Sequence, residues 1–279
     1  MYAGTTLVPM KKFDAWFGAH QKIDRIARKN LRVVLADNAA FPLARQITRF
    51  EGIDGPDGIK RKSPAKDEPW HFLDPFEASE ETVAGLIADH YVDLVQALRD
   101  YDMTRASFEA AWLAHAIVDG LTPAHHYPYE EELIKLRGGE GIETRSSAKE
   151  KVLMPGDTVT KQFKNNWKMW GDKGLLATHL SFEWGVAAII APLRLKRSRP
   201  TAEELAEAER LGIAQLFLKR ARQIAELRMY DEFYKSGWTP RLAKQVRREL
   251  APIIINTVTL SWYVAIHDAN KPRALRSKK

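Results

Sequence analysis

Apolar positions recur every three to four residues along most of the chain and nowhere alternate over a useful length, so the pattern predicts helices throughout. Phe13, Trp16, His20, Ile23 and Ala27 define a first helix. Val83, Ile87, Leu94 and Leu98 place a second from about Ser79 to Leu98. Phe108, Trp112, His115 and Asp119 share a stripe of a third, which Asp102 or Thr104 can cap. From Gly174 to about Leu195, residues Leu176, His179, Glu183, Ala187 and Ile190 fall in line. Two long helices close the chain. Thr201 and Glu204 form a capping box before one, Thr239 and Pro240 open the other, and Pro252 is expected to kink it. The fold class read from this pattern is all-α.

Two stretches interrupt the periodicity. Residues 38–66 are dense in proline, glycine and other turn formers and read as a helix end followed by a long irregular loop. Residues 127–171 are mixed, with Gly138, Gly139 and Gly141 marking a mobile loop. No internal repeat or low-complexity segment appears. The expected organisation is one multi-helix domain over residues 1–279, with an insertion at about 127–171 and a basic tail at about 271–279.

Composition narrows this only a little. Apolar residues make up 45% and charged residues 28%, ordinary for a globular protein with a real core. A net charge of +7 favours anionic partners, whether phosphate esters, nucleic acid or lipid headgroups. With no cysteine in the chain, any metal must sit on His, Asp and Glu. The longest apolar runs, GVAAIIAPL and LAPIIIN, fall short of the ~20 residues a membrane span needs. At the start, lysines follow a weakly apolar segment, the reverse of a secretory signal, so a cytoplasmic location is expected, with export left open.

The segment HAIVDGLTPAHH, residues 115–126, carries the chemistry. It sets His115 and Asp119 one turn apart on an apolar stripe, then breaks at Gly120 and Pro123 and delivers His125 and His126. Burying imidazole and carboxylate costs several kcal/mol unless they are paired. One such pair is commonly a plain side-chain hydrogen bond. The series is less ordinary: His20, then Asp57 and His71, then His115 and Asp119, then His125, then His179 and Glu183. Five of the eight histidines fall into it; His90, His126 and His267 read as structural.

This ordered set resembles the zinc-dependent phospholipases C and the single-strand nucleases that share their fold. The central motif HxxxDxxxPxH of that superfamily stands here as His115, Asp119, Pro123 and His125. GAHQKIDRIARK around His20 is similar to the first helix of the family. GIDGPD ending at Asp57, followed by HFLDP beginning at His71, looks like the phospholipase segment that supplies an aspartate and a histidine, and HLSFE matches the last HxxxE pair. The likeness covers residues 13–195 as separate landmarks. It implies two or three zinc ions: Asp57, His71, His115 and Asp119 on one, Asp119 bridging to a second shared with His20, and His125, His179 and Glu183 on a third. It further implies phospholipase C-type hydrolysis, with Asp57 as general base. A nuclease acting on single strands is the enzyme alternative, and a non-catalytic metal-stabilised binding protein is the alternative of another class. Phospholipid is the expected partner ahead of single-stranded nucleic acid, with peripheral membrane contact and no transmembrane segment.

The residue types suit that chemistry in their own right. Zinc accepts neutral imidazole and carboxylate, and helical i,i+4 spacing lets His115 with Asp119, and His179 with Glu183, converge on one centre. Closely spaced metals generate hydroxide near neutral pH and stabilise displacement at phosphorus. A ligand carboxylate with a free oxygen can take the proton of the attacking water. Two departures stand out. The family uses the amino and carbonyl groups of a mature N-terminal tryptophan as zinc ligands, whereas this chain begins with Met1. The readings, in order of preference, are that Met1 folds back, that cleavage before Trp16 makes the terminus, or that this metal site is weak or absent. The second departure is the long interval from His125 to His179, which holds KQFKNNWKMW. That segment reads either as an amphipathic helix covering the core, the preferred reading, or as a substrate lid with Trp167 and Trp170 on lipid or bases and Lys161, Lys164 and Lys168 on phosphate. KRKSPAK, residues 60–66, is either a draw for anionic substrate or a solvated loop.

Overall fold

The computed structural model describes residues 1, 18–35, 40–62, 72–195 and 198–272, and among these it contains helices and turns but no strand. Helix α1 (Ala19–Val34) buries His20, Ile23 and Ala27 of the stripe read from the sequence and continues it with Leu31; Phe13 and Trp16 lie outside the described residues. The segment expected to be an irregular loop is more ordered than that. It contains α2 (Ala44–Ile47), two 3-10 turns and α3 (Pro56–Lys62). Pro56 is tolerated because it stands in the first turn, where its missing N–H has no helical partner. Gly55 permits the tight turn before it: a Cβ there would lie 2.7 Å from both Glu51 Cα and Phe50 O.

Helices α4 (Glu80–Arg99) and α5 (Met103–Gly120) form a hairpin around Tyr101. Ile87, Leu94 and Leu98 are buried as expected, while the Val83 side chain lies outside the described set. Asp102, not Thr104, caps α5, its carboxylate accepting the amides of Thr104 and Arg105 at 3.1 and 2.9 Å. At its other end Gly120 lies against Phe217, whose ring would be 2.5 Å from an added Cβ. The absent side chain at position 120 therefore lets the end of α5, with Asp119 on it, approach its neighbour closely.

The inserted region folds as α6 (Tyr129–Leu136) and α7 (Val159–Trp170) around its own small cluster of Leu133, Met154 and Met169. The loop between them, read as mobile, is stapled by the buried Arg137. Its guanidinium donates to Glu140 O, Glu150 O and Thr144 Oγ1. Gly138 and Gly139 take positive φ of 76° and 100° at the turn that follows, where side chains are disfavoured. Helix α8 (Leu175–Ile190) packs beside α7.

The closing helices differ in detail from the expectation. Thr201 and Glu204 do form a reciprocal capping box at the start of α9 (Ala202–Ala225), but this helix is broken at Gly212, where φ is 74°. A short α10 (Met229–Ser236) follows. Thr239 caps α11 (Pro240–Gln245), which runs through a π-helical turn at Val246–Leu250 into α12 (Ala251–Asn270). The π turn ends two residues before Pro252, a local departure from α-helical geometry at the place where the proline removes a helical hydrogen bond. Residues Pro240–Asn270 are long and apolar enough to cross a membrane, although no single apolar run suggested it. Of the most apolar stretch 78% is buried inside the protein, so its composition is that of a core helix. Around α12 pack α1, α4, α5 and α9, with Trp262 fully buried and its indole N–H on Ala110 O.

Candidate metal centre

Five separate segments deliver acidic and imidazole side chains to one buried region. Helix α1 carries His20, α3 carries Asp57 in its first turn, and α5 carries His115 and Asp119 one turn apart. The 3-10 turn Pro123–His126 carries His125, and α8 carries His179 and Glu183, again one turn apart. Of the eight expected ligands, these seven converge. His71 lies outside the described residues, although Leu73, two positions on, donates its amide to His125 O at 2.9 Å.

The geometry falls into groups linked by two carboxylates. His115 Nε2 lies 3.5 Å from Asp57 Oδ1 and 3.3 Å from Asp119 Oδ2. The other oxygen of Asp119 is 3.2 Å from His20 Nε2 and also receives the amino group of Met1. Glu183 Oε1 gathers His125 Nε2 at 2.9 Å, His179 Nε2 at 3.2 Å and the Met1 amine at 3.1 Å. His20 Nε2 also stands 2.6 Å from Met1 O. Met1 thus folds back, as the first of the three readings has it, and presents both its amine and its carbonyl oxygen between Asp119, Glu183 and His20.

Charge accounts for why such groups can be buried together. Burial would push the Asp119 carboxyl up, but the Met1 ammonium and the imidazoles of His115, His125 and His20 outweigh it and hold the group well below the carboxylate range. Glu183 is likewise depressed, burial being overcome by Met1, His179 and His125. Burial alone would lower the Met1 amine, yet Asp119, Glu183 and Asp57 raise it to about 10. His115 is raised in the same way by Glu51, Asp119 and Asp57 against its burial.

Glu51 is the residue the sequence reading missed. It is 4% exposed, and its Oε2 lies 3.1 Å from His115 Nδ1. Together with His20 and His115 it makes a third cluster of ligand atoms within 4.8 Å of one another. The two imidazoles, however, stack with centroids 4.0 Å apart and planes 14° from parallel, so their in-plane lone pairs run alongside each other and do not meet at one cation. Glu51 instead accepts a hydrogen bond from Nδ1–H and so turns Nε2 toward Asp57 and Asp119. Asp24, one helical turn after His20, is a second unforeseen acid in this region: fully buried, with neither carboxylate oxygen hydrogen bonded. Its HxxxD spacing from His20 was visible; Glu51 offered no comparable signal.

His115 Nε2 is buried without a hydrogen-bond partner, aimed between two carboxylates. Buried donors and acceptors seldom go unsatisfied, and a divalent cation shared by Asp57, His115 and Asp119 would satisfy this one. His125, His179 and Glu183 form an equivalent buried triad. The donor set of imidazoles, carboxylates and an amine could hold divalent transition-metal ions. Asp57 is the most solvent-accessible of the seven side chains, at 21%, and marks the open side. Phe72 stacks on Tyr129 of α6 and on His125, with centroids 4.9 and 5.2 Å away, walling the site from the inserted region. His90 and His126 bond elsewhere, to Glu109 and to Gly120 O, in keeping with structural roles. The KRKSPAK side chains lie outside the described residues. Comparison with protein-family models, with curated proteins and with solved structures finds no match.

Proposed function

We propose that the protein is a zinc-dependent hydrolase of phosphate esters, acting on phosphodiesters in the manner of a phospholipase C. The observation that carries the proposal is the convergence on one buried region of seven residues from five segments, with Asp119 joining His115 on one oxygen to His20 and Met1 on the other. Asp57, His115 and Asp119 would hold one ion, with His71 as the expected fourth ligand; His125, His179 and Glu183 would hold another; and Asp119, His20 and the Met1 amine and carbonyl would hold a third. Bound zinc supplies Lewis acidity toward phosphoryl oxygens and water acidic enough to ionise near neutral pH.

The protein's own groups set the rest. Asp57, at the accessible side, accepts the proton of the attacking water. Glu51 orients the His115 ring by accepting from Nδ1–H, so that Nε2, once it gives up its proton to a metal, points between Asp57 and Asp119. The aromatic wall of Phe72 and Tyr129 shields His125 and His179, lowering the local dielectric and strengthening each charge interaction there. The net charge of +7 favours an anionic substrate, a property that a single-strand nuclease would share.

Metal analysis of purified protein tests the centre: two or three zinc ions per chain are expected, and less than one tightly held ion ends the enzyme reading. Assay of phosphatidylcholine against single-stranded DNA then selects the substrate. Cleavage of DNA alone replaces the phospholipase reading with the nuclease one.

A further inference from the structure

Helix α7 has two apolar faces and uses only one. Met169 is buried in the small cluster with Leu133 and Met154. Val159, Phe163 and Trp167 recur every fourth residue on another face and are 84, 68 and 59% exposed. The Trp170 indole N–H donates to Val152 O at 2.6 Å, which joins the exposed Val152 and Leu153 to the same patch. Contiguous exposed apolar surface of this kind marks an interaction site on most soluble proteins.

The charges beside it identify the partner. Lys164, Lys168 and Lys161 form the next strip of the helix, beginning roughly 60° around the axis from Trp167. Lys161 pairs with Asp157, but Lys164 and Lys168 have no carboxylate in ion-pair reach among the described residues. Between Lys149 and Lys173 six lysines face three carboxylates. A second copy related by a two-fold axis would bring lysine strip toward lysine strip, which repels. Nucleic-acid bases would use the aromatic rings but leave Val152, Leu153 and Val159 without a counterpart. The boundary between headgroups and acyl chains accepts aliphatic and aromatic side chains below and lysine above.

We infer that α7 docks the protein on an anionic phospholipid surface, with Phe163 and Trp167 entering the interface and Lys164 and Lys168 on lipid phosphates. Helix α7 packs on α8, the helix that carries His179 and Glu183, so the docked surface and the metal centre share a support. The inference rests on the proposed hydrolase only in taking that surface to hold the substrate; attachment itself is a property of the helix.

Co-sedimentation of the full chain with vesicles of phosphatidylglycerol and phosphatidylcholine in equal parts, at near-physiological ionic strength, tests it. The protein is expected to pellet with these vesicles and to release at high salt. Phe163→Ser with Trp167→Ser should weaken binding by at least about tenfold, and Lys164→Gln with Lys168→Gln by roughly thirtyfold. All four side chains are exposed, and an unchanged circular dichroism spectrum confirms that the variants fold. The inference is overturned if the protein stays in the supernatant or if the serine pair binds equally well. Self-association that the serine pair abolishes, or preferential capture of single-stranded DNA by the lysine strip, overturns it in favour of those occupants. Hydrolysis of a soluble phosphodiester by the zinc-loaded protein separates the two proposals. Hydrolysis without vesicle binding removes the docking surface alone, and vesicle binding without hydrolysis removes the enzyme alone.

Discussion

Glu51 Oε2 accepts from His115 Nδ1 at 3.1 Å, and this bond decides which nitrogen of the ring faces Asp57 and Asp119. Removing it frees the ring to take the other tautomer and to rotate. Glu51→Ala is therefore expected to weaken zinc binding about 10- to 100-fold, while Glu51→Gln, which still offers an acceptor oxygen, should recover much of the loss. Competition with a chromophoric chelator measures both. Equal affinity in the wild type and Glu51→Ala would show that Glu51 only fills space.

The Met1 amine predicts a different dissection. As an ammonium it pairs with Asp119 and Glu183, whereas as a neutral amine it would be a ligand for the ion proposed between Asp119 and His20. Acetylating it, or extending the chain by a residue, replaces the amine with an amide that neither carries charge nor binds metal well. One zinc per chain should be lost, leaving the His125 triad loaded. Because the amine is held protonated up to about 10, zinc uptake at this position should rise with pH and release a proton. Unchanged stoichiometry after acetylation would remove Met1 from the centre.

Asp24 gives the pH prediction. Burial, with Glu51 adding to it, raises its carboxyl well above the usual carboxylate range. Between the unfolded value of about 3.8 and the raised one, the folded chain holds a proton that the unfolded chain has released. Its contribution is therefore fully present below the unfolded value and is lost as pH rises through the folded one. Asp24→Asn imitates the protonated acid at every pH. Its melting temperature should match the wild type in acid and exceed it increasingly toward alkaline pH. Melting curves that stay parallel across the range would show Asp24 ionised at no cost.

Asp57 sits where turnover should be most sensitive. Asp57→Asn is expected to abolish hydrolysis while leaving the helical signal intact, because the side chain is the most exposed of the cluster and carries little of the core. Undiminished activity would take it out of the site.

The sequence disclosed what depends on local rules. Capping by Asp102 and by Thr201 with Glu204 follows from neighbours two or three residues away, and the HxxxD and HxxxE pairs converge because a helix returns every fourth residue to one face. Glu51 was hidden because its role depends on a tight turn at Gly55 and on α5 passing close by, neither of which any spacing encodes. The short helix α3 was obscured by Pro56 and Gly58, which read as breakers although Pro56 stands where a first turn tolerates it. The π turn before Pro252 was equally invisible: a proline signals trouble for the helix but not the form the local departure takes.

Removing metal should expose the tension that this arrangement stores. Asp119 and Glu183 are nearly inaccessible, and without a divalent ion their counter-charges are the Met1 ammonium and neighbouring imidazoles. Ions that bind the folded chain alone at a hundred to a thousand times their dissociation constant stabilise it by about 3 to 4 kcal/mol. For a chain of this size that corresponds to roughly 5 to 15 °C in melting temperature. Chelation followed by calorimetry should show a fall of that order, reversed by zinc and not by magnesium, which prefers an all-oxygen shell. In His125→Ala or His179→Ala backgrounds one ion is already lost before chelation, so the expected result is a smaller chelator effect in both. A protein whose melting temperature ignores chelator, and which releases no zinc, would leave these side chains as a buried network of ion pairs among carboxylates, imidazoles and the ammonium of Met1.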